Sequence, residues 1–270
     1  MDTKLTDALI ELTRRAGDAI LEIYQTDFSV ETKGDDSPLT QADLASHRTI
    51  VEGLSALTPD IPIYSEESEP PDFATRQSWT RYWLVDPLDG TKEFINKNGE
   101  FTVNIALIEN HQPVFGVVGV PVQDVIYTGD AELGAFKYTA AGRETLTGRK
   151  MGDGGVTIVA SRSHGGERLE SYLGSLQVEF GEVTRTPVGS SLKLCILAEG
   201  AADFYPRLGP TSEWDIAAAD AVLRAAGGAV WAVDGSDLDY NNKESILNPE
   251  FFAVSDGSFP WRQRLPAVPD

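Results

Sequence analysis

The chain has 270 residues, enough for one large domain or two lobes with a sizeable core, and 41% of them are hydrophobic. A formal net charge of −20 leaves no excess of Lys and Arg to neutralise phosphates, which excludes a nucleic-acid duplex as partner. The lone cysteine, Cys195, excludes an internal disulfide framework, and the absence of a transmembrane-length apolar run or a signal-peptide pattern fits a cytoplasmic protein.

In chain order, Leu5, Leu9, Leu12, Ala16, Ile20 and Ile23 recur at three- and four-residue spacing and predict an amphipathic helix over 3–25. A loop at 33–38 precedes a second helix that opens at Thr40 and carries Leu44, Ile50, Leu54 and Leu57 as its apolar stripe. Short strands are expected at 61–64 and 82–85, the second broken by Pro87. Alternation over 101–108 and 114–120, about a turn at 110–113, predicts an antiparallel hairpin, followed by strands at 125–128 and 134–138.

Gly152-Asp-Gly-Gly155 reads as a seam. Beyond it, strands (156–160, 178–186, 201–205) alternate with helices (166–176, 191–198, 213–226), then strands at 229–233 and 251–254 complete the half. This predicts a layered α/β (α+β) protein in two lobes, 1–152 and 153–258, with 259–270 as a loose tail.

The stretch from Trp83 to Phe94 concentrates chemistry. Asp86 and Asp89 flank Pro87 and Leu88 where a strand ends, and Gly90 and Thr91 follow. Two carboxylates and the Leu88 carbonyl would offer hard oxygen ligands to Mg²⁺ or Mn²⁺, although Pro, Asp and Gly suit an ordinary β-turn equally well. Asp43 and Asp215 sit in first helical turns, where capping explains them as readily. Glu66 and Glu67 follow a short strand and alone would be a solvated pair. Together the acids form a set suited to two or three divalent ions roughly 3.5–4 Å apart, with a hydroxyl such as Thr91 and a carboxylate such as Asp43 to orient a nucleophilic water.

Other phosphatase chemistries fit badly. The position six residues beyond Cys195 is Ala201 and not the arginine of a thiol mechanism, and Asp86 and Asp89 are one residue too far apart for an aspartyl-phosphate motif. The three histidines, His47, His111 and His164, do not pair at zinc-ligand spacing.

Asp86-Pro-Leu-Asp-Gly-Thr91, with Ser65-Glu-Glu67 upstream and Trp214-Asp215 downstream, resembles the inositol monophosphatase superfamily. The runs Trp83–Ile95 and 98–107, with Ser161-Arg-Ser-His164, Gly189-Ser-Ser-Leu-Lys193 and 205–211, are similar to its bacterial 3′(2′),5′-bisphosphate nucleotidase branch.

The resemblance implies a layered αβαβα fold and a Mg²⁺-dependent, lithium-sensitive phosphatase of sulfur metabolism. Such an enzyme releases the 3′-phosphate of adenosine 3′,5′-bisphosphate and extends to 3′-phosphoadenosine 5′-phosphosulfate. It further implies metal ligation by Glu66, Asp86, Asp89, Asp215 and the Leu88 carbonyl, and water activation by Thr91 and Asp43 with support from Glu67. Substrate contacts would come from Glu66 and Asp215 beside the metals, from Gly90, Thr91, His164 and Ser190, and from Lys193 and Arg207.

Ser190 equally suits a helix cap, and Lys193 and Arg207 equally suit surface charges. Rival readings are the same chemistry on an inositol phosphate or a sugar bisphosphate, and a non-catalytic metal or nucleotide sensor. The sequence leaves monomer and homodimer open, and shows no anchor for the peripheral inner-membrane association expected of some relatives.

Overall fold

The computed structural model describes residues 1–26, 30–32, 38–160 and 166–269. The chain opens with α1 (Thr3–Tyr24), the short strands β1 (Val30–Thr32) and β2 (Pro38–Thr40), and α2 (Gln41–Leu57). Next come β3 (Ile63–Ser65), α3 (Phe73–Gln77), β4 (Arg81–Asp89) and α4 (Thr91–Ile95). An antiparallel meander follows: β5 (Thr102–Glu109), β6 (Gln112–Val120), β7 (Val125–Asp130), β8 (Gly134–Thr139) and β9 (Gly142–Leu146).

The second half runs β10 (Val156–Ala160), α5 (Glu167–Phe180), β11 (Val183–Pro187), α6 (Leu192–Ala198) and β12 (Phe204–Arg207). It ends with α7 (Glu213–Ala225), β13 (Ala229–Ala232), β14 (Phe251–Val254) and α8 (Trp261–Arg264).

Strands β3 to β9 lie side by side in chain order as a seven-stranded sheet, β3 parallel to β4 and the rest antiparallel. A five-stranded mixed sheet has the order β11-β10-β12-β14-β13. Strand alternation builds two cores. Trp83, Val85, Val103 and Ile105 face α1 and α2, whereas Tyr82, Leu84, Ala106 and Ile108 face α6 and α7. The outer face of the smaller sheet packs Phe204 and Phe252 on Tyr172 of α5 and Trp261 of α8. The layers are therefore helix, sheet, helix, sheet, helix, in agreement with the expected αβαβα arrangement.

The middle helix layer needs small residues. An ideal Cβ on Gly116 would stand 2.1 Å from the Ala218 carbonyl oxygen, and one on Gly129 would stand 2.3 Å from Val222 Cα. Glycines in β6 and β7 thus let the backbone of α7 lie directly on the sheet, which brings the head of a helix from the second half over the end of β4.

Several elements differ from expectation. Strand β4 continues through Pro87 because a register shift between Asp86 and Asp89 removes the proline from the ladder. Residues 178–180, expected as strand, extend α5; Val178 is its solvent face, and Gly181 at φ 81° ends the helix. The segment 259–270 is not a loose tail within its described part, because Trp261 is buried and donates from Nε1 to the Asp256 carbonyl at 2.9 Å. The short elements β9, α3 and α4 had no counterpart in the sequence reading. Among the described residues, no helix is long and apolar enough to cross a membrane.

Candidate active site

The end of β4 supplies the centre. Asp86 pairs across the ladder with Asn104 and Asp89 with Thr102, and the bulge between them carries Pro87 and Leu88. Two bonds hold the bulge. Leu88 N–H donates to Asp86 Oδ1 at 3.0 Å, and Ser46 Oγ on α2 donates to the Pro87 carbonyl at 2.7 Å. Gly90 then takes φ 92°, a left-handed angle that a side chain would strain, and Thr91 begins α4.

Glu66 reaches the same place because its N–H donates to the Val85 carbonyl at 3.0 Å, one residue short of Asp86. Asp43 and Asp215 come from helix heads, and each forms its expected cap. Asp43 Oδ2 accepts from Thr40 N–H at 2.9 Å and from Thr40 Oγ1 at 2.6 Å. Asp215 Oδ2 accepts from Ser212 N–H at 2.9 Å. Capping and site membership are not alternatives here, since Asp43 Oδ1 stands 3.5 Å from Thr91 Oγ1 and Asp215 lines the same cavity as Asp89. A buried carboxylate, Glu213, secures the head of α7 by accepting from Lys243 Nζ at 2.9 Å and Asn241 N–H at 2.8 Å.

Four of these acids, Glu66, Asp86, Asp89 and Asp215, lie close enough to act on one another. Burial pushes the Asp86 carboxyl well above its ordinary range, and the charges of Glu66, Asp89 and Asp215 push it further. Burial raises Asp215 likewise, with Asp89 and Glu66 adding to it. Asp89 is pushed up to about 6, chiefly by burial, against the opposing pull of Lys193 and the Ser191 N–H. Among the described residues no three acidic, histidine or cysteine side chains already stand at the spacing of a finished metal cage. An all-oxygen set whose carboxyls burial and mutual charge raise above their ordinary range fits a hard divalent cation, which would offset both costs.

Beside the acids opens a cavity of about 290 Å³. Its lining includes Asp89, Gly90, Thr91 and Asp215 together with Ser190, Lys193 and Arg207. Lys193 is not a surface charge: it is 6% exposed, and its Nζ donates to the Ser190 carbonyl at 2.6 Å and the Val188 carbonyl at 3.4 Å. Burial lowers its pKa to about 8, although the Asp89 charge resists. Arg207 Nε donates to the Gly209 carbonyl at 3.2 Å, and Nη2 to the Pro210 carbonyl.

Ser190 stands at φ 47°, one residue before the N-cap Ser191, and its Oγ accepts from the Leu192 N–H at the head of α6 at 3.4 Å, so the capping role that the sequence allowed is partly met. Glu67 is half-buried in the turn after β3, next to Glu66. His164 lies outside the described residues. Sequence reasoning did not single out Ser46, Ser191 or Glu100, whose Oε2 accepts the Gly189 N–H at 2.8 Å. Of these only Ser191 carried a local signal, its place beside Ser190.

Residues 1–256 match the model of the inositol monophosphatase family. The chain is 49% identical, over 249 residues, to the 3′(2′),5′-bisphosphate nucleotidase CysQ of Escherichia coli K12, an alignment covering 92% of this chain and 98% of that one. The CysQ of Salmonella typhimurium is 51% identical over the same length, with the same coverage. Among solved structures, CysQ of Bacteroides thetaiotaomicron superposes with a TM-score of 0.82 at 40% identity, covering 92% of this chain and 97% of that one. An IMPase from Thermotoga maritima superposes at 0.76 with 22% identity over 94% and 93% of the two chains, a likeness of fold.

Proposed function

The chain belongs to the inositol monophosphatase family, and from that membership we propose that it is a 3′(2′),5′-bisphosphate nucleotidase, a phosphomonoesterase that hydrolyses the 3′-phosphate of adenosine 3′,5′-bisphosphate to AMP and phosphate. The observation that carries this reading is that one cavity is lined by Asp89, Asp215 and Thr91 and also by Lys193 and Arg207. The acids and the hydroxyl suit a phosphoester under attack, and the two cations suit the second phosphate of a nucleotide. The relatives named CysQ align over nearly their whole length, which supports the same substrate class here.

On this reading Glu66, Asp86, Asp89, Asp215 and the Leu88 carbonyl hold two or three Mg²⁺ ions, with Mn²⁺ as a substitute, and residues 1–152 supply most of these ligands. When bound, such ions polarise the phosphate, stabilise the leaving oxygen and acidify water. The Thr91 hydroxyl, oriented by Asp43, receives the attacking water by a hydrogen bond and passes its proton toward the carboxylate. Glu67 supports that pair. The N–H groups of Gly90 and Thr91 point the scissile phosphate for in-line attack. Ser190, Lys193 and Arg207, with His164, bind the remainder of the nucleotide. We place the enzyme in the cytoplasm, where a buried Cys195 stays reduced.

Phosphate release measured with Mg²⁺ on adenosine 3′,5′-bisphosphate and on inositol 1-phosphate tests the reading. A kcat/KM preference of about a hundredfold for the nucleotide, roughly 2.7 kcal/mol, is the expected result. Preference for the inositol ester would keep the hydrolytic assignment and reject the nucleotide. Release from neither would reject both.

A further inference from the structure

Ser191 sits 3% exposed at the N-cap of α6, between the cavity residues Ser190 and Lys193. Its backbone N–H donates to Asp89 Oδ2. Its side chain enters a closed ring of three hydrogen bonds. Asn104 Nδ2 donates to Thr102 Oγ1 at 3.1 Å, the Thr102 and Ser191 hydroxyls are 2.8 Å apart, and Ser191 Oγ donates to Asn104 Oδ1 at 2.7 Å. Because Asn104 Oδ1 can only accept, the Ser191 proton is committed to it. The Thr102 proton therefore goes to Ser191, and every donor in the ring has a single direction. Thr102 and Asn104 are both fully buried, so each bond is made without competition from water.

The ring lies where the site is made. Thr102 is the ladder partner of Asp89, and Asn104 that of Asp86. The Ser191 hydroxyl thus fastens the substrate-side loop 188–191 to the two rungs that bear the acids, across 89 and 87 residues of chain. The loop needs such fastening, because Ser190 is held in the left-handed region at φ 47°, a conformation costing on the order of 1 kcal/mol for a residue with a side chain.

The geometry points to Ser191 as a positioning residue: its hydroxyl, through the Thr102–Asn104 ring, fixes the N–H that orients Asp89 for its metal and sets the Ser190–Lys193 side of the cavity at a fixed distance from it. This rests on the metal-site reading above. An outer partner of this kind tunes affinity for the metal as well as rate. Ser191→Ala leaves Asn104 Oδ1 without its donor and the Thr102 hydroxyl without its acceptor, and frees the loop to move away from Asp89.

The test is isothermal calorimetry of Mg²⁺ binding without substrate, run beside thermal melting, on the wild type, Ser191→Ala, Ser191→Thr and Thr102→Val. The expected result is Mg²⁺ binding weakened about tenfold in Ser191→Ala and in the near-isosteric Thr102→Val, with recovery in Ser191→Thr. Lower melting with wild-type Mg²⁺ affinity in both weakened variants would overturn the proposal, since a merely structural ring moves stability alone. If Ser191→Ala fails to fold, Thr102→Val decides. A wild type that binds Mg²⁺ but releases no phosphate from adenosine 3′,5′-bisphosphate would overturn the substrate reading and leave the Ser191 result standing. A wild type that binds no Mg²⁺ would overturn the metal reading and this proposal together.

Discussion

The Thr91 hydroxyl stands 3.5 Å from Asp43 Oδ1, while Oδ2 of the same carboxyl accepts from the Thr40 N–H and hydroxyl. One carboxylate therefore closes a helix cap and faces the hydroxyl proposed to receive the attacking water. Asp43→Asn keeps the size of the side chain and removes its capacity to take a proton. It should lower kcat by about 10²–10⁴ with little change in KM, and circular dichroism should show a helix content close to that of the wild type. A Thr91→Ala variant should fall in the same range. Additive losses in the double variant would contradict a single Thr91–Asp43 unit, whose effects should overlap.

Asp86 shows how activity and stability oppose each other. The residue is 1% exposed, and burial and three neighbouring acids all disfavour its charge. Asp86→Asn should raise the stability of the metal-free protein by about 0.5–2 kcal/mol, as removal of a strained functional charge commonly does. It should also lower kcat by at least about 10³, because a ligand oxygen carrying full charge is lost. Chemical denaturation with a chelator present, paired with phosphate-release kinetics, reads both. Asp89→Asn should likewise abolish turnover while the protein remains folded.

The pH dependence follows from Asp89, whose carboxyl rises from 3.8 to about 6 on folding. A raised value means that the folded state holds this proton more firmly than the unfolded chain. Its contribution to stability is thus fully present below 3.8 and is lost as pH rises through about 6. A divalent ion competes for the same oxygen, with the opposite trend. The rise in melting temperature caused by Mg²⁺ should be large at pH about 8 and should shrink steeply below about 6. A rise independent of pH across that window would show that Asp89 is not a ligand.

The local parts of the site were legible in sequence, and the long-range parts were not. Asp86-Pro-Leu-Asp-Gly-Thr91 could be read because the bulge, its two acids and the left-handed glycine are contiguous. Asp43 and Asp215 could be read only as caps or ligands, and in the structure each closes a cap and also faces the site. Ser191 was hidden because its partners, Thr102 and Asn104, lie on a strand from the other half, and spacing along the chain carries no record of them. The end of α5 was misread because Val178 is β-branched and suggested a strand, whereas the helix places it outward at 90% exposure. Gly116 and Gly129 were not singled out in the sequence, and only the position of α7 gives them a role.

That role is testable at Gly129. A Cβ there would meet Val222 Cα at 2.3 Å and the Ala221 carbonyl oxygen at 2.5 Å, both backbone atoms that no rotamer change can move. Gly129→Ala gains about 0.4–1 kcal/mol by restricting the unfolded chain, but overpacking of this kind costs about 1–3 kcal/mol. Net destabilisation should therefore win, seen as a fall of a few degrees in melting temperature. Since α7 carries Asp215, the variant should also bind Mg²⁺ more weakly. Wild-type melting and metal affinity together would mean that α7 can shift without consequence for the site.

Lys193 and Arg207 should separate in their effects although both line the cavity. Lys193 is buried and spends its hydrogen bonds on the Ser190 and Val188 carbonyls beside Asp89, so it braces the loop as well as supplying charge. Arg207 is partly exposed and is tied to the Gly209 and Pro210 carbonyls, and not to the loop that carries Ser190. Arg207→Ala should act mainly on binding, raising KM for adenosine 3′,5′-bisphosphate about tenfold or more with kcat close to wild type, as loss of a charge-assisted bond of about 1.5–3 kcal/mol would. Lys193→Ala should raise KM and lower kcat together and reduce the melting temperature, because the loop relaxes with it. Inositol 1-phosphate, which lacks the second phosphate, separates the two contributions. Arg207→Ala should leave its turnover unchanged, whereas Lys193→Ala should still slow it. Equal losses on both substrates from Arg207→Ala would place that guanidinium at the scissile phosphate and remove it from the nucleotide side of the cavity.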